Sequence, residues 1–234
     1  MKIAFVVGTA LGHAARAMVV AREISQKTPG ATIQFFTPSG SFAGQAVGEE
    51  YPVHEIFHHE RGDADFCDNL EQQIKQFRPE IIVLDLSPTP WLVGVDLSPF
   101  KTVYLTNSFV VKAPAGRSAQ DQHFARNYEQ YKALRWRRGL ADLADARALY
   151  HQDLTLYCDP PEIGDCELDV HERFVGPCSW EPAENAGLSP TKHQLVIASG
   201  TTGKGNWTDN EITDLVRLTA ASTAVLYHGR VLSG

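Results

Sequence analysis

Residues 2–24, KIAFVVGTALGHAARAMVVAREI, decide the fold class. Lys2 is followed by five apolar residues, 3–7, which predict a buried strand. A helix is predicted from Ala14 to Lys27, because apolar residues recur there at helical spacing: Ala17, Val20, Ala21 and Ile24. A buried strand that passes through a glycine turn into a helix is the building unit of α/β proteins.

Short apolar runs rich in Val and Ile recur along the chain, separated by helical or loop segments. This alternation is typical of buried parallel strands covered by helices. The expected fold class is therefore α/β, with a Rossmann-like parallel sheet flanked by helices and an incomplete second Rossmann-like domain. A second helix is predicted over Phe66–Phe77. The predicted strands of the first part are residues 2–7, 32–36, 52–57, 80–86, 101–107 and 153–158.

The chain is predicted to contain two domains joined by a linker. Residues 1–176 form the first domain, and residues 177–193, which are rich in proline and lack any helical or strand period, form the linker. Residues 194–234 then predict a strand, a loop, a helix capped by Thr208 and a second strand. One strand-helix-strand unit cannot cover both faces of its sheet, so we expect it to be the first part of a truncated domain.

Composition excludes several classes of protein. The 234 residues are 43% apolar and 21% charged, which is the balance of a globular protein with a sizeable core. A formal charge of −7 argues against a general affinity for nucleic acid. The four cysteines are far apart and form neither a zinc knuckle nor a thioredoxin-like pair, so reduced thiols and no metal site are expected.

The N-terminus could be taken for a secretion signal, because Lys2 precedes an apolar run. However, Gly8 and Gly12 interrupt that run, and the helical pattern continues past the small residues where cleavage would occur. No other stretch approaches the roughly 20 apolar residues of a membrane span. A cytoplasmic protein is therefore expected.

The turn after the first strand is the first candidate ligand site. A helix that starts near His13 places backbone N–H groups at the carboxyl edge of the sheet, where ligands of open α/β sheets bind. Gly8 and Gly12 lack the spacing of the dinucleotide fingerprint, so NAD is not expected. His13 itself is either a structural residue or a base that takes a proton from a hydroxyl.

Asp85 closes the predicted strand EIIVLDL and should emerge at the same edge as His13. A carboxylate there could fix the tautomer of a histidine base and stabilise its imidazolium form. The alternative is that Asp85 caps the turn through Ser87 and Pro88.

A second glycine-rich loop, ASGTTGKGN, follows the predicted strand at residues 194–200. Its hydroxyls and unhindered backbone amides suit a diphosphate, and the alternative is a flexible glycine turn. Because the spacing is not that of a P-loop, Lys204 is not predicted to act as a phosphate-binding P-loop lysine.

A basic segment lies in the polar helical stretch from Ala119 to His151, which is predicted to break near Gly139. It is either a solvated helix face with one aromatic anchor or a contact for a phosphate or an anionic lipid head group at a membrane surface. The residues concerned are Lys132, Arg135, Arg137 and Arg138, around Trp136.

These motifs resemble those of a known family. The opening GTALGHAARAMVVAREI resembles the first strand, loop and helix of GT-B glycosyltransferases, which are built from two Rossmann-like domains. It is most similar to the group with a GHxxRA core and to the corresponding loop of the peptidoglycan N-acetylglucosaminyltransferase. IIVLDLSPTPW resembles the strand after which UDP-glycosyltransferases carry an aspartate, and FVGP with QLVIASGTTG resembles their linker and donor-domain strand.

The resemblance implies a function. The complete protein would transfer a hexose-type sugar from a nucleotide sugar, UDP-linked in the expected case, to a hydroxyl acceptor, with inversion and without a cofactor or essential metal. His13 would be the base and Asp85 its orienting partner. Gly12, Arg16 and Asn107 would contact the acceptor. The donor diphosphate would lie against Ser199, Gly200, Thr201 and Thr202.

Two other functions share this architecture. UDP-sugar 2-epimerases would need further carboxylates and an early phosphate-binding arginine, for which Arg16 is the one candidate. A non-catalytic relative that binds a sugar or lipid would lack most of the donor site. Members of the family continue with a further donor-binding motif, so the 234-residue chain alone is expected to be the acceptor-side part of the enzyme.

Overall fold

The structure is a computed structural model. It describes residues 1–56, 64–112, 119–162, 166–178, 194–196, 224–227 and 230–232. The chain divides into two compact units, Met1–Trp180 and Glu181–Gly234. The predicted boundaries of the linker, at residues 177 and 193, stay a prediction.

The first unit is built on a seven-stranded parallel sheet, which confirms the predicted α/β class. Its strand order is β3-β2-β1-β4-β5-β6-β7, so the first strand of the sequence lies inside the sheet between β2 and β4. The strands are β1 (Lys2–Val7), β2 (Thr32–Pro38), β3 (Val53–Ile56), β4 (Ile81–Asp85), β5 (Lys101–Thr106), β6 (Leu154–Tyr157) and β7 (Glu172–Phe174).

Helices cover both faces of the sheet. Apolar residues of β1 alternate between the two resulting cores: Ala4 and Val6 pack on one side, and Ile3, Phe5 and Val7 on the other. The helices are α1 (Leu11–Lys27), α2 (Phe42–Gly48), α3 (Ala64–Phe77), α4 (Pro88–Trp91), α5 (Ser108–Val111), α6 (Ala119–Arg126) and α7 (Tyr128–Arg137), with a 3₁₀ turn at Ala146–Leu149.

Helix α1 contributes small side chains to its contact with the sheet. Ala14, Ala17, Met18 and Ala21 are buried, and the predicted contact residues Val20 and Ile24 are partly buried at the margin of this core. Small side chains let a helix lie close to the strands beneath it. The helix begins at Leu11, three residues before the predicted start, and its first turn holds no residue that stops a helix.

Several short elements were not predicted. Helices α2, α4 and α5 have seven residues or fewer, too few to show a helical period, and β7 has three. The predicted helical stretch over residues 119–151 is two helices that break at Asn127 as well as near Gly139, followed by the 3₁₀ turn. Gly139 has a φ of +68°, a conformation that favours glycine and ends α7.

The second unit contains a three-stranded sheet. Strand β8 (Gln194–Val196) pairs in parallel with β9 (Ala224–Tyr227), as expected for a strand-helix-strand unit. Strand β10 (Arg230–Leu232) pairs with β9 in the antiparallel direction and was not predicted. The predicted loop over residues 201–206 and the predicted helix over residues 207–222 lie outside the described residues.

The basic segment of α7 is mostly engaged with the protein itself. Arg135 donates to the carbonyl oxygens of Val93 and Ala141. Arg138 donates to the Gly94 carbonyl at 2.5 Å and to the carboxylates of Asp68 and Glu71. Trp136 is 81% exposed, so the expected aromatic anchor is wrong. Two of the four cations are therefore structural, which weakens the hypothesis of a phosphate or lipid contact.

We expect Arg138→Met to lower the free energy of unfolding by about 2 kcal/mol, because Glu71 is nearly buried and would lose a charged hydrogen-bond partner. Arg137→Met is the matched control, since Arg137 is exposed on the same helix turn. Urea unfolding followed by circular dichroism measures both. Equal stability of the two variants would contradict a structural role for Arg138.

One further property concerns all described helices. None of them is both long and apolar enough to cross a membrane.

Candidate functional site

The site lies where the carboxyl ends of four adjacent strands, β1, β4, β5 and β6, meet at one edge of the sheet. The Gly8 amide at the end of β1 donates to the Asp85 carbonyl at the end of β4, at 2.9 Å. A Cβ atom on Gly8 would lie 3.2 Å from Cβ of Leu86 and 3.3 Å from Cδ2 of His13. Glycine therefore lets the His13 ring pack directly against the end of the sheet.

His13 and Asp85 are in direct contact. Nδ1 of His13 lies 2.6 Å from Oδ1 of Asp85, whose side chain is fully buried. An ionised carboxylate can only accept, so the proton of a neutral His13 ring is on Nδ1 and its Nε2 is an acceptor. The His13 side chain is 25% exposed. The pair therefore has the arrangement of a histidine base with its orienting carboxylate.

Arg16 is one helical turn after His13 and therefore lies on the same face of α1. Its Nε donates to Oδ2 of Asp85 at 2.7 Å and its Nη2 to Oδ1 at 2.5 Å. Its Nη1 donates to Oδ1 of Asn107 at 2.7 Å. Burial lowers the pKa of the Arg16 guanidinium, but the hydrogen bonds and charge of Asp85 raise it by more, so Arg16 stays a cation.

Asp159 completes the cluster and was not predicted. It follows β6 and is buried, and its carboxylate accepts from the backbone amide of Ser108 at 3.0 and 3.1 Å, from the Ser108 hydroxyl and from Nδ2 of Asn107 at 3.5 Å. The signal that singled out Asp85, an acid just after a buried strand, applies equally to Asp159 and could have found it.

The structure thus brings together four of the predicted site residues: His13, Arg16, Asp85 and Asn107. The carboxylate of Asp85 accepts hydrogen bonds from His13 and Arg16. Ser87, the residue before α4, has no side-chain cap, so the alternative that Asp85 caps this turn is not supported. Arg16 and Asn107 are hydrogen-bonded to one another, and their predicted contact with an acceptor stays a prediction. The predicted donor residues Ser199, Gly200, Thr201 and Thr202 lie outside the described residues.

Gly12 is exposed in the first turn of α1, and a Cβ atom there would meet no atom within 4 Å. We therefore expect Gly12→Ala to fold with unchanged or slightly higher thermal stability, since alanine favours a helix over glycine. If Gly12 faces the acceptor, the variant should raise the acceptor KM. An unchanged KM would remove Gly12 from the acceptor site.

Two thiols lie beside this cluster. Cys178 packs on the core that contains Cys158, close enough for each thiol to influence the pKa of the other. Interaction with the Cys158 thiol lowers the pKa of Cys178 to about 7, and the nearby Arg16 charge acts in the same direction. Interaction with Cys178 and burial raise the pKa of Cys158.

The thiolate is the reactive form, so alkylation of Cys178 by iodoacetamide should rise with pH to a half-maximum near pH 7. Cys158 should stay unmodified across this range. Peptide mass spectrometry measures both. In Cys158→Ala the half-maximum for Cys178 should move to higher pH, and an unmoved profile would contradict the influence of Cys158.

Metal ligands are not clustered in the described part of the chain, since no three His, Cys, Asp or Glu side chains there could jointly hold an ion.

Several solved structures share the architecture. The spinosyn forosaminyltransferase SpnP has a TM-score of 0.59 at 12% identity, over 97% of this chain and 66% of that one. The calicheamicin glycosyltransferase CalG4 has a TM-score of 0.58 at 15% identity, over 97% and 63%. The fold is that of the GT-B glycosyltransferases. The glycotransferase of kitacinnamycin has a TM-score of 0.57 at 15% identity, over 97% and 65%.

At these identities the likeness to GT-B glycosyltransferases concerns the fold. The chain spans about 65% of the length of the GT-B structures that it matches. A putative UDP-N-acetylglucosamine 2-epimerase from Listeria monocytogenes also aligns, with a TM-score of 0.52 at 11% identity, over 97% of this chain and 62% of that one. No protein-family model matches the sequence, and no curated protein is significantly similar to it.

Proposed function

We propose that this chain is the acceptor-side part of a GT-B glycosyltransferase that moves a hexose-type sugar from a nucleotide sugar to a hydroxyl acceptor. One observation carries the proposal: His13 holds Nδ1 against the buried carboxylate of Asp85, which leaves Nε2 as an acceptor at the ligand-binding edge of the sheet.

The pair suits a single displacement with inversion. As the acceptor oxygen attacks the anomeric carbon, its proton passes to Nε2 of His13. The bond from the anomeric carbon to the diphosphate breaks on the opposite face, and the electron pair leaves with the diphosphate. His13 then carries a positive charge, which the adjacent Asp85 carboxylate stabilises. This step needs no covalent intermediate.

A nucleotide-linked donor is supported by the fold. The glycosyltransferase VinC, whose structure was solved in complex with DTDP, aligns with a TM-score of 0.54 at 11% identity. We propose a nucleoside diphosphate donor of this class, UDP-linked in the first instance, held by the loop that the sequence predicts at residues 199–202. The glycine and hydroxyl content of that loop suits the charge and size of a diphosphate.

The 2-epimerase alternative fits less well. It requires an early arginine that binds donor phosphate, and the Arg16 guanidinium is mostly buried and already donates three hydrogen bonds to Asp85 and Asn107. The geometry therefore favours hydroxyl activation.

Sugar transfer is tested by incubating the 234-residue chain, and any longer product of its gene, with UDP- and dTDP-sugars and a panel of hydroxyl acceptors. Chromatography with mass spectrometry detects a product heavier than the acceptor by one sugar residue, together with the free nucleoside diphosphate. Inversion is assigned from the anomeric coupling constant of the product. Interconversion of the free donor sugar without transfer would support the epimerase instead.

A further inference from the structure

We propose that Arg16 is a positioning residue, locked in place by Asn107 and Asp159, that fixes the Asp85 carboxylate so that it can orient His13. The inference rests on the proposed function for its catalytic consequence, and it replaces the acceptor contact predicted for Arg16 and Asn107.

The Asp85 carboxylate is held by Arg16. Arg16 binds both of its oxygens in a bidentate pair, through Nε to Oδ2 and Nη2 to Oδ1. Such a pair fixes the rotation of the carboxylate, because the guanidinium is planar and its donors are rigid. Oδ1 is then left with one lone pair directed at Nδ1 of His13, at 2.6 Å. Without Arg16, the carboxylate could rotate away from the histidine.

Arg16 is in turn held by Asn107. Its remaining terminal nitrogen, Nη1, donates to Oδ1 of Asn107, which directs the amide nitrogen of Asn107 toward Asp159. Asp159 is in turn fixed by the backbone amide and the hydroxyl of Ser108. The chain of contacts thus runs from α1 across the ends of β4, β5 and β6.

Arg16 is poorly placed to contact an acceptor. Its side chain is only 14% exposed, and three of its five N–H groups, one each on Nε, Nη1 and Nη2, donate to protein oxygens. Moving Arg16 to a ligand would leave Asp85 buried without its counter-charge, which is strongly unfavourable. Arg16 therefore acts on a substrate through Asp85 and His13.

The test compares Arg16→Met, Arg16→Lys and Asn107→Ser with Arg22→Met. Arg22 is a matched control, because it makes the same bidentate pair from the same helix with Glu50. The direct readout is the low-field NMR signal of the Nδ1 proton of His13 in 15N-labelled protein, identified by its loss in His13→Gln.

We expect this signal to be lost in Arg16→Met, to broaden in Arg16→Lys and Asn107→Ser, and to be unchanged in Arg22→Met. We also expect kcat of Arg16→Met to fall by about 10–100-fold, with partial recovery in Arg16→Lys and an acceptor KM within about twofold of the parent.

A folded Arg16→Met that keeps the signal overturns the proposal, as does a raised acceptor KM with unchanged kcat and signal. If Arg16→Met does not fold, Asn107→Ser takes its place, and an unchanged signal in that variant overturns the proposal. The NMR measurement needs no turnover, so absence of sugar transfer would refute the proposed function and leave the positioning role to be decided by the signal alone.

Discussion

His13→Gln is expected to lower kcat for sugar transfer by about 10²–10⁴-fold, the usual contribution of a general base. Glutamine has a similar reach and can still hydrogen-bond Asp85, so packing at the end of β1 is retained. Its amide cannot accept the proton of the acceptor hydroxyl. Initial rates at saturating donor and acceptor, with circular dichroism to verify folding, measure the effect.

His54→Gln serves as the control for this experiment. His54 lies in β3 and packs against Phe36, away from the His13 cluster. Its replacement should leave kcat within about twofold of the parent. A folded His13→Gln enzyme with parental kcat would remove His13 from the mechanism.

Asp85→Ala is expected to lower the free energy of unfolding by about 3–5 kcal/mol, because it leaves the Arg16 cation in a site that is nearly closed to water. Glu50→Ala removes the partner of the equivalent but partly exposed pair with Arg22 and should cost about 1 kcal/mol or less. Chemical unfolding of both variants measures how much more unfolding free energy is lost when a buried ion pair is broken than when a partly exposed ion pair of the same helix is broken.

A double variant separates charge from packing in this experiment. Asp85→Leu combined with Arg16→Met removes both charges together, and it should recover most of the stability lost in Asp85→Ala. If Asp85→Ala and Glu50→Ala cost the same, Arg16 would not depend on Asp85 for its burial.

The placement of His13 and Asp85 at one edge of the sheet could be predicted, because His13 follows a buried parallel strand and Asp85 ends one. Their direct contact could not, because it requires β1 and β4 to be neighbours in the sheet. The α/β class was predictable as well, since β1 is a continuous apolar run and α1 carries a helical period. Strand order was not predicted, because apolar patterns do not say which strands pair.

The role of Arg16 depends on side-chain contacts between distant segments, and no local pattern encodes it. The sequence placed Arg16 at the correct edge of the sheet. It did not predict the ion pair with Asp85, which forms because the buried carboxylate lies within reach of the Arg16 side chain. The basic residues of α7 show the same limit. Charge density alone does not distinguish Arg138, which binds two carboxylates, from Arg137, which is exposed.

The strand order has a consequence for how the protein is made. Ile3 of β1 pairs with Ile33 on one side and with Ile81 on the other. At about 5–20 residues per second, a ribosome needs on the order of seconds after completing β2 to synthesise β4. During that interval the most apolar strand of the sheet has one unpaired edge, which can attract other nascent chains. Slowing translation between residues 38 and 81 should therefore increase aggregation more than slowing it after β4.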